Sequence, residues 1–160
     1  LPFELSVHDS SRPLNVGVSA FVGLCRNICI PFQAEFRLDL ADTGKTPVEE
    51  AMLLAKAAAQ LPEPPSDDFA VTHYAMTEGR DLLSLKLRLP EGAPEAPQVI
   101  VTGPKGHVLL DGINGRREAN SYMLDMPVGK LPGDYDIKGK HWDILVIAGG
   151  RAMETSLAFE

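Results

Sequence analysis

Two stretches of alternating residues flank the only cysteines of this chain, and they constrain its N-terminal part more than any other feature. Upstream, Leu14, Val16, Val18, Ala20, Val22 and Leu24 alternate with Asn15, Gly17, Ser19, Phe21 and Gly23. Downstream, Phe32, Ala34, Phe36, Leu38 and Leu40 alternate with Gln33, Glu35, Arg37 and Asp39. A period of two sustained this long predicts two half-buried antiparallel strands. The connection Arg26-Asn27-Ile28 suits a three-residue hairpin loop, in which Asn27 tolerates a left-handed backbone. That loop length makes Cys25 and Cys29 directly opposed, with Cα atoms about 4.5–5.5 Å apart. A disulfide can span such a gap.

A bond there would stabilise little. Closing a loop of about five residues gains roughly 2 kcal/mol in the chain-entropy model, against about 4.7 for a 100-residue loop. Three readings stay open. The cysteines are a local structural staple or inert thiols; or they supply two thiolates to a soft metal such as Cu(I) or Zn(II), with His8 the nearest further ligand; or they are a reversible dithiol. Local chemistry favours the last. Arg26, beside Cys25, favours the thiolate, and a hairpin tip lets a partner sulfur approach. Pro31 lacks a donor and is expected to limit further pairing at the start of its strand.

The run Val22-Gly23-Leu24-Cys25-Arg26-Asn27-Ile28-Cys29-Ile30-Pro31-Phe32-Gln33-Ala34-Glu35 resembles the cysteine hairpin of the N-terminal periplasmic domain of DsbD-type protein-disulfide reductases. It is most similar to the ScsB (suppressor of copper sensitivity) branch, whose members carry a Cys-x-x-x-Cys-Ile-Pro segment. An acidic helix, a Pro-rich break and a β-rich region ending in Gly-Gly-Arg follow in the same order. The resemblance covers most of the chain, and the cysteine segment is its specific part. It implies that Cys25 and Cys29 are the catalytic redox pair of a periplasmic module. That pair takes electrons from the transmembrane domain of the parent protein and passes them to oxidised periplasmic thioredoxin-fold proteins. No cofactor and no metal are implied.

This chain departs from DsbD itself, which separates its cysteines by more residues and shields them with a cap loop lying upstream. Little sequence precedes Cys25 here, so no cap residues are assigned. The chain also carries no thioredoxin-like Cys-x-x-Cys. The resemblance therefore implies a fragment of a larger, membrane-anchored protein. Opening at Leu1, without initiator Met or signal peptide, reads as a processed or trimmed product. Edges exposed by such trimming are expected to invite an edge-strand homodimer.

Composition narrows the alternatives. A formal net charge of −7 argues against a nucleic-acid surface, which needs clustered Lys and Arg. No run of apolar residues is long enough for a membrane span, and Ile144 to Ala148 is short and strand-like. With 160 residues, 44% of them hydrophobic, the chain supports one moderate domain or two small ones.

The predicted organisation is a cysteine-bearing hairpin over 1–45, a helix and Pro-rich linker over 46–65, and a β-sandwich over 66–160. Thr46-Pro47-Val48-Glu49 suggests a capping box with Pro47 at the first helical position. The apolar positions Met52, Leu53, Ala55 and Ala59 are expected to pack on a sheet. Leu61-Pro62-Glu63-Pro64-Pro65 then stops the helix as a stiff linker. Seven strands are predicted at Phe69–Thr77, Leu82–Leu89, Gln98–Thr102, Val108–Leu110, Ser121–Pro127, Trp142–Ala148 and Met153–Phe159. The fold class is thus mainly β: an immunoglobulin-like β-sandwich preceded by a partial β domain and one short helix.

Other chemistry is thin. Gly103-Pro104-Lys105-Gly106 lacks the spacing of a phosphate loop and reads as a turn. His73, His107 and His141 are scattered and read as surface or satisfied histidines. Asp67-Asp68 reads as linker charge, and Arg116-Arg117 as solvated charge in a Gly-flanked loop. Met123 and Met126 read as packing residues, not copper ligands. Tyr122, Tyr135 and Trp142 are expected to anchor the sandwich core or its rim.

Overall fold

The alternating runs form strands β1 (Leu14–Cys25) and β2 (Cys29–Leu40), paired as an antiparallel two-stranded sheet. The structure, a computed structural model, describes residues 5–8, 14–25, 28–40, 46–131 and 134–160. The chain divides into two compact units, Leu1–Gln60 and Leu61–Glu160.

In the first unit the hairpin is followed by helix α1 (Val48–Ala58). Two expectations about this helix fail. Pro47 occupies the N-cap position and no side chain caps the N-terminus, so the capping box does not form. A proline cap has no side-chain oxygen to accept a bond from the first-turn amides, which leaves Glu49 and Glu50 to favour the dipole. Nor does the helix pack on a sheet through its apolar positions: none of its residues is buried, and Met52 and Leu53 are among its most exposed.

Among the described residues the second unit is a sandwich of eight strands: β3 (Ala70–Met76), β4 (Leu82–Arg88), β5 (Gln98–Thr102), β6 (Val108–Leu109), β7 (Ile113–Glu118), β8 (Ser121–Pro127), β9 (Lys140–Ala148) and β10 (Arg151–Phe159). They pair antiparallel into two four-stranded sheets, β3-β4-β8-β7 and β10-β9-β5-β6. This is the order of an immunoglobulin-type sandwich, one four-stranded sheet facing the sheet that holds the final hairpin. Every predicted strand is present. The eighth, β7, is a correction to the loop expected around Arg116-Arg117. Its sequence hides it, because Gly112 and Gly115 lie so close to the neighbouring strand that a Cβ on Gly115 would collide with Tyr122 Oη. A register shift between Ile113 and Arg116, with Asn114 at φ 56°, further breaks the alternation.

Inward side chains of both sheets build one core. Leu83, Leu85 and Leu87 of β4 and Leu124 and Met126 of β8 meet Val99 and Val101 of β5 and Trp142, Ile144 and Val146 of β9. Trp142 is fully buried, packs edge-on against Phe159 at 5.5 Å between ring centroids, and donates its indole N–H to Tyr135 Oη at 2.9 Å. Its one polar atom is thereby satisfied, as a buried tryptophan requires. The Gly103–Gly106 turn closes β5 onto β6, with Gly103 pressed against the Trp142 ring. Tyr74 Oη donates to Ala158 O (2.6 Å) and accepts from Ala158 N (3.0 Å), tying β3 to β10 across the two sheets.

The Pro-rich segment is not a free spacer. Glu63 forms a parallel bridge to Met153, its N–H donating to Ala152 O and its carbonyl accepting from Glu154 N.

Candidate functional site

Register decides what the hairpin can present. Pairing runs without a shift from Leu14↔Leu40 to Cys25↔Cys29. Side chains of directly opposed residues share a face. One face therefore carries the apolar pairs Val16↔Leu38, Val18↔Phe36, Val22↔Phe32 and Leu24↔Ile30. The other carries Asn15↔Asp39, Gly17↔Arg37, Ser19↔Glu35, Phe21↔Gln33 and Gly23↔Pro31, and ends in Cys25↔Cys29. The two cysteines are thus the last rung of the ladder, on the polar face.

Cys29 is exposed and disulfide-bonded. Beside it Ile28, Ile30 and Leu24 are exposed, Ile28 at 73%. Arg26 and Asn27, the expected thiolate-favouring and left-handed residues, lie outside the described residues. Pro31 sits inside β2 opposite Gly23, and the ladder to β1 continues past it to Cys29. The expected limit on pairing does not apply on that side, since an antiparallel strand directs alternate amides away from its partner. Among the described residues no three His, Cys, Asp or Glu come together as a metal-binding group, and His8 is exposed without such company. No described helix is long and apolar enough to cross a membrane.

Two clusters in the sandwich escaped the sequence reading. Asp68, expected to be linker charge, is an ion-pair partner. Arg151 binds Glu63 through Nε (2.6 Å) and Nη2 (3.0 Å), and Asp68 through Nη1 (2.6 Å), while its guanidinium lies 5.4 Å from the Phe69 ring centroid. Hydrogen bonding from Arg151, helped by Ser66, holds the Asp68 carboxyl at about 2, and Arg151 also lowers Glu63. These groups are 83 and 88 residues apart in sequence, so no local spacing could reveal them. The arrangement pins the Pro-rich segment to β10; its acids are all engaged by one arginine.

The second cluster lines an open groove of about 370 Å³ on the outer face of the β3-β4-β8-β7 sheet, with His73, Ser84, Lys86, Asn114, Arg116 and Asp125 at its walls. Asn114 Nδ2 (2.8 Å) and Ser84 Oγ (2.6 Å) both donate to Asp125 and hold its carboxyl below the usual range. Arg116 pairs with Glu118 at 3.2 Å. Met123 faces this groove while Met126 is fully buried, so the two methionines point to opposite faces of β8. Of the scattered histidines, His107 is bonded through Nε2 to Val128 O and packs edge-on to Trp142. None of these groups forms a nucleophile–base pair.

No protein-family model and no curated protein matches the chain. Among solved structures it is similar to the crystal structure of the N-terminal periplasmic domain of ScsB from Proteus mirabilis, with a TM-score of 0.66 and 19% sequence identity. The likeness covers 91% of this chain and 58% of that one, so the chain spans little more than half the length of the domain it matches. The chain has the fold of a ScsB-type N-terminal periplasmic domain over nine-tenths of its length.

Proposed function

We propose that this chain is a periplasmic thiol–disulfide exchange module whose working groups are Cys25 and Cys29. The observation that carries the reading is the register: it sets the only two cysteines opposite each other on the last rung of a hairpin, where Cys29 is exposed and bonded. The likeness to a periplasmic ScsB domain supports the same compartment.

In the reduced form the Cys25 thiolate attacks one sulfur of a partner disulfide. A mixed disulfide forms and the first partner thiolate leaves. The Cys29 thiolate then attacks the Cys25 sulfur, forming the internal disulfide and releasing the second partner thiolate. Two electrons pass to the partner, an oxidised periplasmic thioredoxin-fold protein, which takes up two protons. A dithiol of the parent protein's membrane domain restores the module by the reverse exchange. The chain's own part is to set the two cysteines at opposed positions of paired strands, so that the second attack is intramolecular.

The competing reading is a structural staple in a non-catalytic interaction module. Reduction potential separates them: a staple lies below about −300 mV, a working couple above it. Cys29→Ser is expected to trap a mixed disulfide with an oxidised thioredoxin-fold protein, seen as a non-reducing gel shift that dithiothreitol reverses. Absence of any adduct, together with a potential below that limit, refutes exchange.

A further inference from the structure

We infer that Phe21 is the anchoring residue for the protein disulfide that exchanges at the hairpin tip, an inference that rests on the exchange reading above. On the polar face of the hairpin, the positions other than the cysteines are Asn15, Gly17, Ser19, Phe21 and Gly23 on β1 and Asp39, Arg37, Glu35, Gln33 and Pro31 on β2. Phe21 is the one large apolar side chain among them, and it is 74% exposed. The other large apolar residues within the two strands belong to the opposite face, where alternation explains them as packing residues. Alternation does not explain Phe21. It sits where the pattern calls for a polar residue, opposite Gln33.

Its placement relative to the cysteines gives it a use. Phe21 and Cys25 are four residues apart on one strand face, which is about 13 Å. A standard interface covers about 800 Å² per partner, a patch roughly 16 Å in radius. A protein whose disulfide reaches the last rung therefore covers Phe21 as well. Between them lie Gly23, without a side chain, and the short ring of Pro31, so no tall group keeps a partner from lying flat along this face. Exposed aromatics at such positions carry a disproportionate share of binding energy. The partner that fits is a disulfide-bearing protein with an apolar recess about 13 Å from its reactive sulfur. A small-molecule disulfide reaches the cysteines without touching Phe21.

The experiment uses the full chain, reduced with dithiothreitol and desalted. Second-order rates are measured with two oxidants: an oxidised thioredoxin-fold protein bearing a Cys-x-x-Cys disulfide, and 5,5′-dithiobis(2-nitrobenzoate). Phe21→Ser is expected to slow reaction with the protein at least about tenfold and to leave the small-molecule rate within about twofold. Phe21→Leu, which keeps an apolar surface, should recover much of the loss. Wild-type rates with both oxidants in Phe21→Ser overturn the anchor alone. Equal slowing with both overturns it too, and assigns Phe21 to hairpin structure. A wild-type chain that reacts with the small oxidant but is inert toward the protein overturns the exchange reading itself, and the anchor with it.

Discussion

The hairpin and the sandwich use the same strand grammar and end in opposite states. Both alternate apolar and polar residues, and both pair antiparallel with few irregularities. In the sandwich the apolar faces of two sheets meet, and Trp142, Leu83, Val101, Ile144 and Met153 lose all contact with solvent. In the hairpin the apolar face carries Val22, Leu24, Ile30, Phe32, Phe36 and Leu38, and every one of these is exposed. The difference lies not in composition but in the second layer. Strand pairing satisfies the backbone; only another apolar face removes side chains from water. A two-stranded sheet without that layer is marginal by itself.

The comparison can be broken at its strong end first. Trp142→Ala removes a fully buried aromatic, its edge-on packing on Phe159 and the bond to Tyr135, and is expected to cost the sandwich about 3–5 kcal/mol. Urea denaturation followed by far-ultraviolet circular dichroism measures this; a loss under about 1 kcal/mol would mean that the core does not carry the second unit.

Acid gives the next largest effect. Asp68 titrates at about 2 in the folded chain against an ordinary 3.8, and Glu63 below its ordinary 4.5. Both acids bind protons less readily folded than unfolded. Their stabilisation is therefore complete above pH about 4.5 and fades as pH falls towards 2. Thermal unfolding between pH 2 and 6 should show a falling Tm in that window for the native chain. Arg151→Met should flatten it, since the same guanidinium holds both acids. An unchanged slope in the variant would move the acid sensitivity elsewhere.

The smallest effect belongs to the hairpin. Phe36 is 54% exposed, so Phe36→Ala is expected to change stability by no more than about 0.5 kcal/mol. A cost approaching that of Trp142→Ala would sharpen the comparison in the other direction, by showing that the apolar face is covered in solution.

How much of this was legible depended on where each determinant lay. Period two is local, and it located β1, β2 and seven of the eight sandwich strands, with Gln98–Thr102 and Ser121–Pro127 matching to the residue. It also opposed Cys25 to Cys29 through loop length alone. It missed β7 because Gly115 makes room for Tyr122 on the next strand, a requirement invisible without that neighbour. Likewise the Arg151 cluster joins residues that only the fold brings together, so Asp68 looked idle. The capping box failed on a one-residue offset: with Pro47 at the cap, Thr46 stands outside the helix start. Phe21 stood unremarked among the positions that alternate with the apolar residues of the upstream run, and its meaning required the face that register assigns to it.

Tyr74 carries a consequence for how the sandwich meets other proteins. Strand β10 ends its sheet, and a free margin of that kind ordinarily recruits foreign chain by main-chain bonding. Here the phenol occupies both main-chain groups of Ala158, and Glu63 occupies Ala152 and Glu154 further along the same margin. An incoming peptide would have to evict both residents to pair along the whole of this margin. Tyr74→Phe would vacate one of these berths, and self-association of that variant would be its visible symptom.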